Sequence, residues 1–312
     1  MRYKRSHLIG LFAALLVLVT ILGGGILLVI KEDHASAGST EGAAYHFQGT
    51  DQPQATRSHK YHTNLNHKQT LILVNKDHAL PKGYSVQLKT LKNGIQVAKV
   101  IYPHLRDMWF DCEAANPNYS INVVSGYRTR QKQTILLSEE IRKNERTGMS
   151  YRSAKKDALR SVAPADYSEH ETGLCVDITA SDHLQLDRGQ AQTPENQWLR
   201  KHCADYGFIL RYPKHKEKVT GYMYESWHFR YVGWPHAGLM AQRGVTLEEY
   251  IGALGAYTPE QPLHAEAGGR GFDIFRVPLG PEGARFDAPR DRVWQASADN
   301  CGGLVVTVWG TV

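Results

Sequence analysis

The stretch "SEHETGLCVDI" (Ser168–Ile178) sets His170 and Asp177 seven residues apart across Gly173, and "ESWHFRYVG" supplies Glu225 and His228 about fifty residues later. A neutral imidazole nitrogen and a carboxylate oxygen are both good zinc donors. In the first stretch Leu174, Val176 and Ile178 alternate with Cys175, Asp177 and Thr179, the period of a strand with one buried face. Asp177 then stands on the face opposite the apolar residues. Gly173 lets the backbone reverse just ahead of that strand, which brings the His170 ring back beside Asp177. If "WHFRYV" is a second strand, His228 alternates with Arg230 and Glu225 lies where the strand begins. The pattern predicts one zinc ion held by His170, Asp177 and His228, with one coordination position open for water. Glu225 is then the general base. It takes a proton from a water that the metal acidifies to a pKa of about 7, and later passes it to a leaving amine.

Taken singly, each of these residues has a plainer role. The chain has 15 histidines, and most histidines lie on surfaces or in hydrogen bonds. Asp177 could end a strand and Glu225 could be a solvated charge. The specificity lies in the combination: Ser-x-His, a glycine within the spacer, an aspartate on an alternating strand, and Glu-x-x-His on an aromatic one.

The elements that must position these groups are legible in outline. "LILVN" from Leu71 reads as a strand. "HLRDMWFDCEAA" (His104–Ala115) has helical spacing and stops before Asn116-Pro117. "INVVSGYR" is a strand entering a turn, and "RQKQTILLSEEIRKNERTG" (Arg130–Gly148) is an amphipathic helix ending on glycine. Thr193-Pro194-Glu195 announces a helix that runs to Gly207, followed by strands at "FILRY" and "WHFRYVG". Without a regular βαβ repeat, the expected class is α+β around an antiparallel sheet. Residues 31–69 are polar and read as a flexible stalk, residues 70–252 as the main domain, and residues 253–312 as a linker and β-rich extension. "FDIFRVPL" and "GGLVVTVW" are the strands of that extension, which either stands apart or packs on the main domain.

At 312 residues there is room for one sizeable domain or two small ones. Leu8–Ile30 carries no charge and is long enough to cross a bilayer as a helix, with Arg2, Lys4 and Arg5 keeping its start in the cytoplasm. Residues 1–30 therefore read as a cytoplasmic tip and transmembrane anchor, with the rest extracytoplasmic. The alternative is a cleaved signal, because "ASA" (Ala35–Ala37) resembles a processing site. A balance of 37 basic against 31 acidic residues gives +6, which suits polyanionic wall polymers or lipid headgroups and equally a solvated surface. No nucleic-acid motif is present. Cys112, Cys175, Cys203 and Cys301 are read as free buried thiols, with a Cys112–Cys203 bridge the alternative.

"SEHETGLCVDI" resembles the SxHxxGxxxD signature of the lysostaphin, D-Ala-D-Ala metallopeptidase and hedgehog zinc group. "SGYRTRQKQ", "GFILRYP", "ESWHFRYVG" and "LVNKDHALPKGYSVQL" narrow the likeness to VanY-type D-alanyl-D-alanine carboxypeptidases, over roughly residues 70–252. The resemblance implies the hedgehog/D-Ala-D-Ala peptidase fold, zinc on His170, Asp177 and His228, and Glu225 as base. It further implies that Arg128 reaches the site, to stabilise an oxyanion or grip a terminal carboxylate. Ser168 either hydrogen-bonds substrate or shapes its turn, and Gln133 and Trp227 are candidates for lining the peptide groove. Cys175 departs from the pattern, since a small residue such as alanine is usual there; its sulfur either lies near the metal or is an inert buried thiol, the favoured reading. Ser226 stands where many relatives have proline. The implied activity is removal of the terminal D-alanine from peptidoglycan stem peptides. Alternatives are an L,D-carboxypeptidase acting on tetrapeptide stems, or a wall-binding module of the same fold without turnover. A serine enzyme is disfavoured: "SAKK" (Ser153–Lys156) matches Ser-x-x-Lys, but "SIN" at Ser120 and "RTG" at Arg146 precede it, the wrong order for that family.

Overall fold

The computed structural model describes residues 56–61 and 68–310. The apolar run Leu8–Ile30, and with it the expected anchor, lies outside those residues. Among the described residues no helix is long and apolar enough to cross a membrane.

In chain order the elements are β1 (Thr56–Tyr61), β2 (Leu88–Thr90), β3 (Gln96–Ala98), α1 (Tyr102–Ala115), β4 (Ile121–Ser125), α2 (Arg130–Glu145) and α3 (Tyr151–Ala158). There follow β5 (Cys175–Ala180), α4 (Pro194–His202), β6 (Phe208–Tyr212), α5 (Glu217–Thr220), β7 (Glu225–Tyr231), α6 (His236–Arg243) and α7 (Leu247–Leu254). Five strands close the chain: β8 (Leu263–Ala267), β9 (Arg270–Pro278), β10 (Ala284–Pro289), β11 (Trp294–Ala298) and β12 (Gly303–Trp309). The helix starts are chemically specified. Thr129 caps α2 and Thr193 caps α4, each hydroxyl accepting a backbone N–H three residues on, and Pro194 takes the first position of α4. The short helix α3, capped by Ser150, packs Ala154 and Ala158 beside Ile141 of α2.

The central sheet has the order β4-β5-β7-β6, antiparallel throughout. β5 is buried along its whole length. Val176 and Ile178 of β5, with Leu174 just before it, join Leu105, Met108 and Cys112 of α1 and Leu199 of α4 in the main core. The other face of β5 carries Cys175 and Asp177. Register places Asp177 opposite His228 and Cys175 opposite Arg230, so all four share that second face. A slip of one residue would put Asp177 into the apolar core, so burial itself enforces the register. The ladder is irregular between Val123 and Ser125 of β4 and between Leu210 and Tyr212 of β6, both beside the same face.

Three expectations change. "LILVN" is buried but is no strand: Leu71, Ile72, Leu73 and Val74 are each 2% exposed or less, in irregular backbone. Other groups replace a sheet partner. Ser297 Oγ accepts from Leu71 N–H, Arg230 donates to the Thr70 and Ile72 carbonyls, and Asn300 donates to the Leu73 carbonyl. The stalk reading fails over Thr56–Tyr61, which is β1, paired residue for residue with β10. The C-terminal strands build their own sheet, β11-β12-β9-β8, rather than extending the central one. One face of it packs Phe272, Ile274 and Val305 against Leu239 and Met240 of α6 and Ile251 of α7. The other face packs Leu304, Val306 and Val308 against Phe286 and Ala288 of β10. Each fully buried side chain of this size contributes about 1.5–3 kcal/mol of burial, enough to fix the extension on the main domain. All four cysteines are free.

His236, at the start of α6, is hydrogen-bonded through Nδ1 to the Tyr250 hydroxyl of α7 (2.8 Å) and through Nε2 to Thr307 Oγ1 of β12 (3.1 Å). Burial pushes its pKa down to about 3. The unfolded chain takes up this proton below about pH 6.5 while the folded chain refuses it, so the stability is complete above pH 6.5 and is lost as pH falls. Urea unfolding from pH 7 to pH 4 should show His236→Gln with a shallower loss of stability than the parent, the difference being at most about 1.4 kcal/mol per pH unit. Parallel curves would contradict this account of His236.

Candidate active site

A cavity of about 350 Å³ opens on the second face of the central sheet. It is lined by His170, Asp177 and His228, by Glu225 and Arg128, and by Ser168, Gln133 and Trp227. The residues singled out from motif spacing thus meet in one place. Ser153 and Lys156, of the Ser-x-x-Lys match, lie exposed on α3 and do not line it.

Each imidazole is aimed by its outer nitrogen. His170 sits in a 3-10 turn, Glu169–Thr172, ended by Gly173 at φ 71°. A Cβ at Gly173 would also meet the Ala98 backbone nitrogen at 3.1 Å, so both conformation and space call for glycine. His170 Nδ1 donates to the Gly126 carbonyl at 2.6 Å, which leaves Nε2 facing Asp177 Oδ2 at 3.3 Å. Gly126 itself has no room for a side chain, because a Cβ would lie 2.3 Å from the Gln96 carbonyl oxygen. His228 Nε2 lies 3.4 Å from Glu169 Oε2, and its Nδ1 lies 3.0 Å from Asp177 Oδ1. Both oxygens of Asp177 are therefore engaged, one per ring, and the rings stand edge to face with centroids 4.9 Å apart.

Glu225 enters at the start of β7, with Oε2 4.0 Å from His228 Nδ1. Burial, reinforced by Asp177, pushes its pKa up to about 7 against the pull of His228, His170 and Arg128. Burial would also raise Asp177, but the two imidazoles hold it well below the usual carboxylate range. Such a carboxylate stays charged in the dry and calls for a cation beside it. Arg128 follows the end of β4. Its Nη2 donates to Asp177 Oδ2 at 2.9 Å, and both Nε and Nη2 donate to Ser125 Oγ. Gln133 is 1% exposed, accepting from Arg128 Nη1 at 3.5 Å and donating to the Ala163 carbonyl at 2.8 Å. Its amide thus holds the arginine in place while the residue also lines the cavity. Trp227 is half-buried on the cavity wall, and Ser168 is buried immediately before the turn that carries His170.

The sequence reading missed the support beneath the site. Glu169 has no solvent exposure and accepts from Arg211 Nε at 2.8 Å and from Arg230 Nη1 at 2.6 Å. Burial alone would raise it, but the two guanidinium groups hold it below the usual carboxylate range. Arg211 also grips both oxygens of Glu248 on α7, at 2.7 and 2.9 Å. The signal was present in "FILRY" and "HFRYV", where an arginine interrupts an apolar strand and must find an acid if buried. Also missed was Tyr222, whose buried hydroxyl lines the cavity without a protein partner.

Cys175 is fully buried, and its Sγ lies within a group of three donor atoms, with one nitrogen from His170 and one from His228, all within 4.8 Å of each other. Of its two sequence readings, sulfur near the imidazoles is the one the geometry matches. Burial pushes the thiol up, but the two imidazoles outweigh it and bring its pKa down to about 7.

Comparison with known proteins follows the same lines. The VanY family model, described as D-alanyl-D-alanine carboxypeptidase, matches residues 94–234. A D-alanyl-D-alanine carboxypeptidase of Enterococcus faecalis is 38% identical over 182 residues, 58% of this chain and 65% of that protein, so the match spans just under two thirds of its length. One from Enterococcus faecium is 31% identical over 242 residues, covering 78% of this chain and 70% of the relative. The crystal structure of a variant of a vancomycin-resistance D,D-pentapeptidase, VanY from a VanB-type cassette, in complex with Zn(II), is 36% identical. It superimposes with a TM-score of 0.54 over 59% of this chain and 99% of its own.

Removing the Glu169 charge strands two buried guanidinium groups. Glu169→Gln should therefore cost about 3–5 kcal/mol of folding stability in urea melts. Asp166→Asn, at the exposed pair with Arg130, should shift the midpoint far less. Equal shifts for the two variants would refute the assignment of Glu169 as the buried anchor.

Proposed function

The chain belongs to the VanY family of D-alanyl-D-alanine carboxypeptidases, and from that membership we propose that it hydrolyses the terminal D-alanine from peptidoglycan stem peptides at the cavity above β5 and β7. One observation carries the reading. His170 Nε2, His228 Nδ1 and the Asp177 carboxylate converge while the outer nitrogen of each ring is tied to an acceptor, with Glu225 at the same cavity. Two imidazoles of fixed tautomer and one ionised carboxylate fit a single zinc ion.

His170, Asp177 and His228 would hold the ion. When bound it supplies Lewis acidity, polarising the scissile carbonyl and acidifying water. The remaining work falls to the chain. Glu225, with its pKa pushed up to about 7, is matched to receive the proton of the attacking water and deliver it to the departing D-alanine amine. Arg128, fixed by Ser125 and Gln133, presents a guanidinium to the developing oxyanion or to the peptide's terminal carboxylate. Trp227 offers a flat apolar wall to the stem, and a cavity of about 350 Å³ suits the end of a short peptide. We also place the domain outside the cytoplasmic membrane. Arg2, Lys4 and Arg5 ahead of the uncharged Leu8–Ile30 support a single crossing, and the substrate class is found on that side.

The test is release of D-alanine from synthetic stems. Pentapeptide should be cleaved, and a tetrapeptide should not. Preference for the tetrapeptide would instead make the enzyme an L,D-carboxypeptidase. Glu225→Gln should lower turnover by about 10²–10⁴ while metal analysis still finds zinc. Arg128→Lys should lower it by about 10²–10³. Parent-like turnover in Glu225→Gln would remove the base from this scheme.

A further inference from the structure

We propose that Cys175 is a fourth protein donor to the ion, so that this chain holds it through two imidazoles, one carboxylate and one thiolate. The proposal rests on the zinc carboxypeptidase reading above and adds a ligand to it; the water of that reading would then occupy a fifth position, an expansion that zinc tolerates.

Three observations lead there. Cys175 lies two residues before Asp177 on β5, so their side chains share a strand face. Its cross-strand partner on β7 is Arg230, two residues beyond His228, so the pairing that sets Asp177 beside His228 also fixes the sulfur. Its Sγ and one nitrogen from each of His170 and His228 lie within 4.8 Å of one another. The other cysteines have different surroundings. Cys112 and Cys203 lie in the apolar main core, and Cys301 is partly exposed beside the C-terminal sheet. Cys175 is fully buried, so its sulfur has no solvent to face, and the imidazole nitrogens are what it meets.

The coordination step balances simply. A divalent ion binds the sulfur, the S–H bond breaks, and the proton leaves to solvent, with no change of oxidation state. Thiolate is a soft donor, so the site should favour zinc, cobalt and cadmium over magnesium and manganese more strongly than two imidazoles and a carboxylate would.

The full chain, loaded with Co²⁺, tests this without reference to turnover. Thiolate-to-cobalt charge transfer absorbs in the near ultraviolet, whereas imidazole and carboxylate donors give only the weaker visible bands. The parent should show both features. Cys175→Ala and Cys175→Ser should keep the visible bands and lose the near-ultraviolet one, and serine preserves the side-chain volume should alanine disturb folding. If all three proteins bind cobalt with the same spectrum, Cys175 is no ligand, and the carboxypeptidase reading stands without it. If none takes up cobalt or zinc, the metal reading itself fails and this proposal falls with it.

Discussion

A carboxylate with no access to water governs this molecule. Glu169 lies between Arg211 and Arg230, both also without exposure, and touches the outer nitrogen of His228. Taking an acid and two guanidinium groups out of water is costly unless every hydrogen-bonding position is filled, and here nearly every one is. Arg211 turns its other nitrogens to Glu248, and Arg230 turns its own to the backbone of residues 70, 72 and 231. The network joins β6, β7, the turn before β5, α7 and the irregular segment at Leu71–Val74. The His228 ring is therefore set by a buried network of charges beneath it.

The division of labour explains what could be read from the chain. His170, Asp177, Glu225 and His228 were legible because a two-residue period and one glycine are local signals. The partners of the buried arginines were not: Glu169 is 42 residues from Arg211 and 61 from Arg230, and no local pattern encodes such a distance. "LILVN" has the composition of a strand, yet side chains and loops far along the chain satisfy its backbone, so burial was predictable and geometry was not. "TRSHKY" failed in the opposite sense. Its polar residues lack a convincing apolar face, and it becomes a strand only because β10 offers an edge more than two hundred residues later.

The C-terminal sheet belongs to this scheme at one remove. It packs on α6 and α7, and α7 carries Glu248 to Arg211, which holds Glu169, which holds His228. His236 adds a polar link among α6, α7 and β12 that functions as a neutral ring. A region outside the recognisable motifs thus helps define the environment of a residue inside them.

The six-residue ladder between β1 and β10 has a mechanical meaning. Any pull on the polypeptide ahead of Thr56 arrives first at that ladder, on the far side of the C-terminal sheet from the central one. Tension at the leading end would be borne by backbone hydrogen bonds of the appended layer, and the turn and strand presenting the two histidines would feel it last.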